Sequence, residues 1–243
     1  MARVEAWAKR NGAEYILVED EEFIRRPPKW VHRKCGQRIN PVTDLARLIV
    51  AAELLETAGC VVWLDADFLI LEPERLGFPQ PSDAAFAREI WVDAAPDGTI
   101  VTRRNIANYV CAFRRGGQFL PRYYKRAVAL LETVTPPLKI GVVGTTFLTH
   151  HAAGDTVELL RHLGNFSPSL ASALLAGERS PLIDSCERAL SEEILGTVLG
   201  CCLSRPPSND ARTNLGLELW CTRRRHLAGC ADPSERFNEG RWR

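Results

Sequence analysis

The run Cys60-Val61-Val62-Trp63-Leu64, followed at once by Asp65-Ala66-Asp67, constrains this chain more than any other segment. Five consecutive apolar residues of strand length predict a strand buried on both faces. Two carboxylates one residue apart cannot continue into an apolar interior, where each ionised group costs several kcal/mol unless paired or metal-bound. The strand must stop where the aspartates begin. In open α/β sheets the carboxyl end of a strand is where ligands bind, so Asp65 and Asp67 are expected to face a cleft. Hard oxygen donors so placed suit Mg²⁺ or Mn²⁺ shared with the phosphates of a substrate. The plainer reading is an ordinary strand-to-loop turn that happens to carry two aspartates.

The flanking sequence predicts an α/β chain. Residues 2–10 read as a short helix ended by Asn11-Gly12, and Tyr15 to Val18 as a strand. Residues 20–42 read as a long loop, acidic at first and then rich in Arg and Lys between 25 and 38. Thr43 and Asp44 are N-cap candidates for a helix over Leu45 to Glu56, which Gly59 closes. Further on come a strand at Ala84 to Arg88, a turn at Asp97-Gly98 between two strands, and a strand at Tyr109 to Phe113. An amphipathic helix over 118–132 follows, ended by Pro136-Pro137, with helical stretches at 156–163 and 187–199. Strands interleaved with helices argue for an α/β sandwich with a mainly parallel sheet. The organisation read from this is one domain over 1–205 and an Arg-rich extension over 206–243.

Charge narrows the partners. The 31 basic and 30 acidic residues leave a net charge of +1, so no global field draws nucleic acid or a membrane surface. None of the eight cysteines forms a C-x-x-C pair, which removes zinc-ribbon and thioredoxin spacings. The first residues lack a signal-peptide core, and no apolar stretch reaches about 18 residues without a charge. A reduced, cytoplasmic protein without a transmembrane segment is the expectation.

The segment TDLARLIVAAELLETAGCVVWLDADFLILEP, residues 43–73, resembles the glycosyltransferases whose sugar-binding region contains a DxD motif, within the GT-A nucleotide-sugar transferase superfamily. The resemblance rests on Asp44 and Arg47 opening a helix, Gly59 in the turn, and an apolar strand ending in Asp65 and Asp67. It extends loosely over residues 4–150, through NYVCAFRRGGQFL at 108–120 and GTTFLT at 144–149, where the family's Gly-Pro step reads Gly144-Thr145. The chain begins at what looks like the helix after the family's first strand. The resemblance implies a GT-A-like, Rossmann-like α/β/α sandwich lacking that strand.

It also implies an activity: transfer of a hexose from a UDP- or GDP-sugar to a glycan, lipid or protein acceptor, in polysaccharide biosynthesis, with Mn²⁺ or Mg²⁺. Asp65 would contact the sugar and ribose side of the donor, and Asp67 would ligate the metal at its diphosphate. Asp44 and Arg47 would lie near the donor, and Asn108 beside the sugar or acceptor. Catalytic roles thus fall to Asp65, Asp67 and Asn108, and the metal to Asp67 and Asp65. His226 is a further metal-ligand candidate, ahead of the pair His150-His151. The family's better-known members retain anomeric configuration, so no dedicated general base is implied.

Two other readings fit the same residues. Haloacid-dehalogenase-like phosphatases also place D-x-D after an apolar strand. Their nucleophile is normally followed four residues later by Thr or Val, where this chain has Leu69. The other is a non-catalytic glycosyltransferase-fold module that binds or scaffolds. The basic stretch 25–38 is either a diphosphate clamp or a solvated face. Arg223-Arg224-Arg225 offers a weak anionic contact, and Trp30, Trp91, Trp220 and Trp242 are candidates for stacking on sugars, while Trp63 reads as core.

Overall fold

Asn40–Leu54 is the helix that organises the molecule, because it carries a wide apolar face (Val42, Leu45, Leu48, Ala51) and buries it completely. It starts earlier than Thr43 or Asp44 would have it. Pro41 occupies its first turn, where a missing N–H goes unnoticed, so Asp44 lies inside the helix rather than capping it. The computed structural model describes residues 2–151, 157–177, 179–193, 198 and 200–203. In chain order the helices are α1 (Ala2–Arg10), α2 (Asp20–Arg25), α3 (Lys29–Cys35), α4 (Asn40–Leu54), α5 (Phe119–Thr133), α6 (Thr145–His151), α7 (Pro168–Ala176) and α8 (Pro181–Glu193). The strands are β1 (Cys60–Leu64), β2 (Phe68–Ile70), β3 (Ala84–Ala94), β4 (Ile100–Arg114), β5 (Glu158–Leu160), β6 (Leu163–Phe166) and β7 (Gly200–Leu203).

The protein is mixed α/β, but its sheets are not mainly parallel. One sheet has the order β1-β4-β3-β5 and the other β2-β7-β6. The β1–β4, β3–β4 and β2–β7 pairs are antiparallel, and only β3–β5 and β6–β7 are parallel. The reason is the turn at Asp97-Gly98, which joins β3 and β4 into a long hairpin, and a hairpin can only be antiparallel. Sequence order shows that strands alternate with helices, not which strands become neighbours.

Other expectations also change. Within its sheet β1 pairs with β4 alone among the described residues, and only Val61 of its five residues is buried. A uniformly apolar run does not distinguish a central strand from a marginal one. Tyr15 to Val18 pairs with no strand among the described residues, and Ile16 and Leu17 are exposed. The stretch 20–42 is no loop but α2, α3 and the start of α4, helices too short to display a clear period. The described part of 156–163 holds β5 and opens β6 instead of a helix. The expected helix at 187–199 is α8, which begins at Pro181 and is described to Glu193. Helices α1 and α5 stand where expected. The 206–243 extension lies outside the described residues.

Apolar burial holds the elements together in three places. Helices α4, α5 and α6 cover one sheet through Leu45, Leu48, Phe86, Phe113, Phe119, Tyr123 and Phe147. Their rings meet mostly edge to face, as at Phe86–Phe113 with centroids 5.6 Å apart, while Tyr123 stacks on Phe147 at 5.0 Å. Each such buried ring contributes about 1.5–3 kcal/mol. Ile90 and Val92 pack with α7 and α8, and Trp7 of α1 packs with Phe68 and Tyr109. The described part of the chain has no helix long and apolar enough to cross a membrane.

Candidate active site

The chain turns sharply where β1 ends. The Asp65 amide donates to the Tyr109 carbonyl (2.9 Å), and the Phe68 amide donates back to the Asp65 carbonyl (2.9 Å). Residues two apart on a strand share a face, so Trp63 and Asp65 point the same way. The Trp63 indole Nε1 donates to Asp65 Oδ1 at 2.6 Å. One turn of α4 likewise brings Asp44 and Arg47 onto a single face. Arg47 donates through Nη2 to Asp65 Oδ1 (2.7 Å) and through Nη1 to Asp44 Oδ1 (3.2 Å). Its guanidinium also lies 5.4 Å from the Trp63 ring, and that ring stacks on Phe23 of α2 at 5.0 Å.

Asn108 joins this network through a bulge. Phe86 of β3 faces Cys111 of β4, whereas the next residue, Ala87, faces Ala107, so 108–110 are left without a β3 partner. A bulge of this kind re-aims side chains. Here Asn108 Nδ2 donates to Asp44 Oδ1 at 2.9 Å. Gly144 packs closely against the Asp44 carboxylate, and nearby the Tyr123 hydroxyl donates to the Val143 carbonyl at 2.6 Å.

Burial orders the group. Asp44, Arg47 and Asn108 are 8%, 5% and 6% exposed, while the Asp65 side chain is 27% exposed. Asp44, Arg47 and Asn108 thus form a buried layer beneath Asp65. Burial pushes the Asp44 carboxyl up, against the opposing pull of Arg47 and the Asn108 amide. Burial works against the Arg47 charge too, but Asp65 and Asp44 outweigh it and hold the guanidinium firmly protonated. Arg47 Nε is buried without a hydrogen-bond partner among the described residues.

Asp67 stands apart from that network. It is half-buried, and its Oδ1 accepts from the Cys202 thiol of β7 at 3.2 Å. Burial raises its pKa, and the neighbouring Asp65 charge adds to the rise. Among the described residues Arg47 pairs with Asp44 and Asp65, and Asp67 adds a third carboxylate nearby, an imbalance that a cation would relieve. Asp65 and Asp67 each commit Oδ1 to a protein donor, leaving Oδ2 as the oxygen to offer a cation. Among the described residues no group of three or more His, Cys, Asp or Glu side chains is placed to hold a metal. Two carboxylates are the kind of donor set that binds Mg²⁺ together with phosphate oxygens and water.

Asp44, Arg47, Asp65, Asn108 and Gly144, drawn from four distant segments, come together around one strand end, with Asp67 two residues beyond it. His226, Trp220, Trp242 and Arg223-Arg224-Arg225 lie outside the described residues. His150 and His151 end α6, and His151 packs against the Phe147 ring. In the basic stretch, Arg25 pairs with Glu21, Arg26 with Glu22 and Glu53, and Lys34 donates to the Glu132 carbonyl. These contacts suit a solvated helical face better than a clamp. Two contributors escaped the sequence reading. Trp63 was assigned to the core, although its i, i+2 relation to Asp65 was there to be used. Cys202 left no signal, because it arrives through a strand pairing 135 residues away. Compared with family models, curated proteins and solved structures, the chain matches none.

Proposed function

We propose that this chain is a metal-dependent glycosyltransferase of GT-A type, moving a hexose from a UDP- or GDP-sugar to a glycan, lipid or protein acceptor. The observation that carries the reading is the convergence of Asp44, Arg47 and Asn108 beneath Asp65, at a strand end that also presents Asp67. Asp44, Arg47, Asp65 and Asp67 also carry the resemblance in sequence, and Asn108 lies in its looser extension.

In this reading the buried layer fixes Asp65. Arg47 and Trp63 hold its Oδ1, so the carboxylate faces the sugar and ribose side of the donor without needing to reorganise. Asp44 and Asn108 act through Arg47 as positioning residues rather than by touching the donor in this conformation. Asp67 and Asp65 would hold Mn²⁺ or Mg²⁺, and the ion would supply positive charge to the departing diphosphate. A carboxylate beside the anomeric carbon favours an oxocarbenium-like transition state, the second use of Asp65.

The test is turnover. Purified chain is incubated with UDP- and GDP-hexoses and Mn²⁺, and release of free UDP or GDP is followed, with Asp65→Ala as control. Metal-dependent release lost in the variant is the expected result. Metal-dependent hydrolysis of a generic phosphate ester, abolished by Asp65→Asn, would replace the reading with a phosphatase. No binding of any nucleotide would leave a non-catalytic module.

A further inference from the structure

β7 reaches the candidate site from the second sheet, and its register there is locked. Phe68 lies opposite Cys202 and Ile70 opposite Gly200. A Cβ on Gly200 would come within 2.4 Å of the Phe68 ring, so this position accepts only glycine without displacing the ring. The ring is itself backed by Tyr109, with centroids 6.2 Å apart. Cys201 and Cys202 therefore face opposite ways. Cys201 enters the core with Phe166 and Leu170, and Cys202 turns to Phe68, Tyr109 and the Asp67 carboxylate.

The Cys202 side chain is buried, and its Sγ lies 3.2 Å from Asp67 Oδ1. A carboxylate oxygen only accepts, so the thiol is the donor of this pair. A thiol is a weak one, able to orient a carboxylate oxygen while competing little with a cation for its partner.

We infer that Cys202 is a positioning residue for Asp67: its S–H holds Oδ1 so that Oδ2 faces the cation and the donor diphosphate. The inference rests on the functional reading above. An unheld aspartate samples several rotamers, and half-buried beside Asp65 it would turn away from that like charge.

Three full-length variants separate positioning from packing: Cys202→Ser keeps a donor, while Cys202→Val and Cys202→Ala remove it. Mn²⁺ binding in the presence of UDP or GDP is read from the electron paramagnetic resonance signal of free Mn²⁺, with Tm measured in parallel. Loss of this weak hydrogen bond predicts about a five- to tenfold weaker Mn²⁺ affinity in Cys202→Val and Cys202→Ala. Cys202→Ser should stay within about threefold of the natural chain. Should Cys202→Val fail to fold, Cys202→Ala carries the same comparison. Equal affinity in all variants overturns the inference, as does a Ser variant as weak as the Ala one. Absence of nucleotide-dependent Mn²⁺ binding in the natural chain is a different failure, and it removes the functional reading itself.

Discussion

Gly144 lies so close to Asp44 that a Cβ on it would come within 2.4 Å of the carboxylate Oδ2. The carboxylate has no freedom to step aside, because Oδ1 is already held by Arg47 and Asn108. Gly144→Ala should destabilise the protein by about 1–3 kcal/mol, the cost of overpacking a rigid site. For a chain of this size each kcal/mol lowers Tm by about 2–4 °C. Calorimetry reads the shift, and an unchanged Tm would show that the contact is slack.

Arg47 is the only cation among the charged groups of the buried layer, so its removal strands Asp44. Arg47→Met should cost about 3–5 kcal/mol, the penalty for leaving a buried charge uncompensated. Urea denaturation measures it. A loss below about 1 kcal/mol would mean that Asp44 takes up a proton at no cost, contrary to the pairing described.

Trp63→Phe keeps an aromatic ring against Phe23 but deletes the Nε1 donor to Asp65. The expected loss of stability is about 1 kcal/mol, with a measurable fall in nucleotide-sugar affinity. Binding unaffected by the change would leave Arg47 as the sole group that orients Asp65.

Glu89 gives a pH signature away from the site. It is buried, accepts from the Asn105 amide at 2.6 Å and from the Asn165 amide, and lies near the buried Tyr109 hydroxyl. Burial raises its pKa above 4.5 despite both amides, and Asp44 and Asp67 are also raised, from 3.8. A carboxyl with a raised folded pKa binds its proton more tightly in the folded state. Its contribution to stability therefore falls as pH rises from the unfolded value through the folded one. As pH rises above about 4.5, the unfolding free energy of Glu89→Gln should fall less, or rise more, than that of the natural chain. Identical slopes would contradict the direction of the shift.

Local features of the chain were legible wherever one short segment carried the whole signal. The apolar run into Asp65-Ala66-Asp67, the Asp97-Gly98 turn and the periodic helix at 119–133 all formed where expected. What the sequence did not display were relations between segments. Whether β1 is central or marginal depends on neighbours its own residues do not name. The short helices α2 and α3 hold their places partly by tertiary contacts such as Phe23–Trp63 rather than by an internal period. Tyr15 to Val18 has strand composition but finds no strand partner among the described residues. In the candidate site, Asp65 and Asp67 follow from the apolar run that ends at them, Asp44, Arg47 and Asn108 come with the resemblance, and the bulge in β4 that delivers Asn108 leaves no mark in the sequence. Cys202 was invisible for the same reason.

Asp65 and Asp67 are proposed as a cation-assisted nucleotide site, and calorimetric titration of UDP and GDP with and without Mn²⁺ probes that assignment. One nucleotide should bind only with the metal, and Asp67→Ala should abolish this binding while keeping a cooperative unfolding transition. Metal-dependent binding of equal strength in Asp67→Ala, or no binding of either nucleotide to the natural chain, would contradict it.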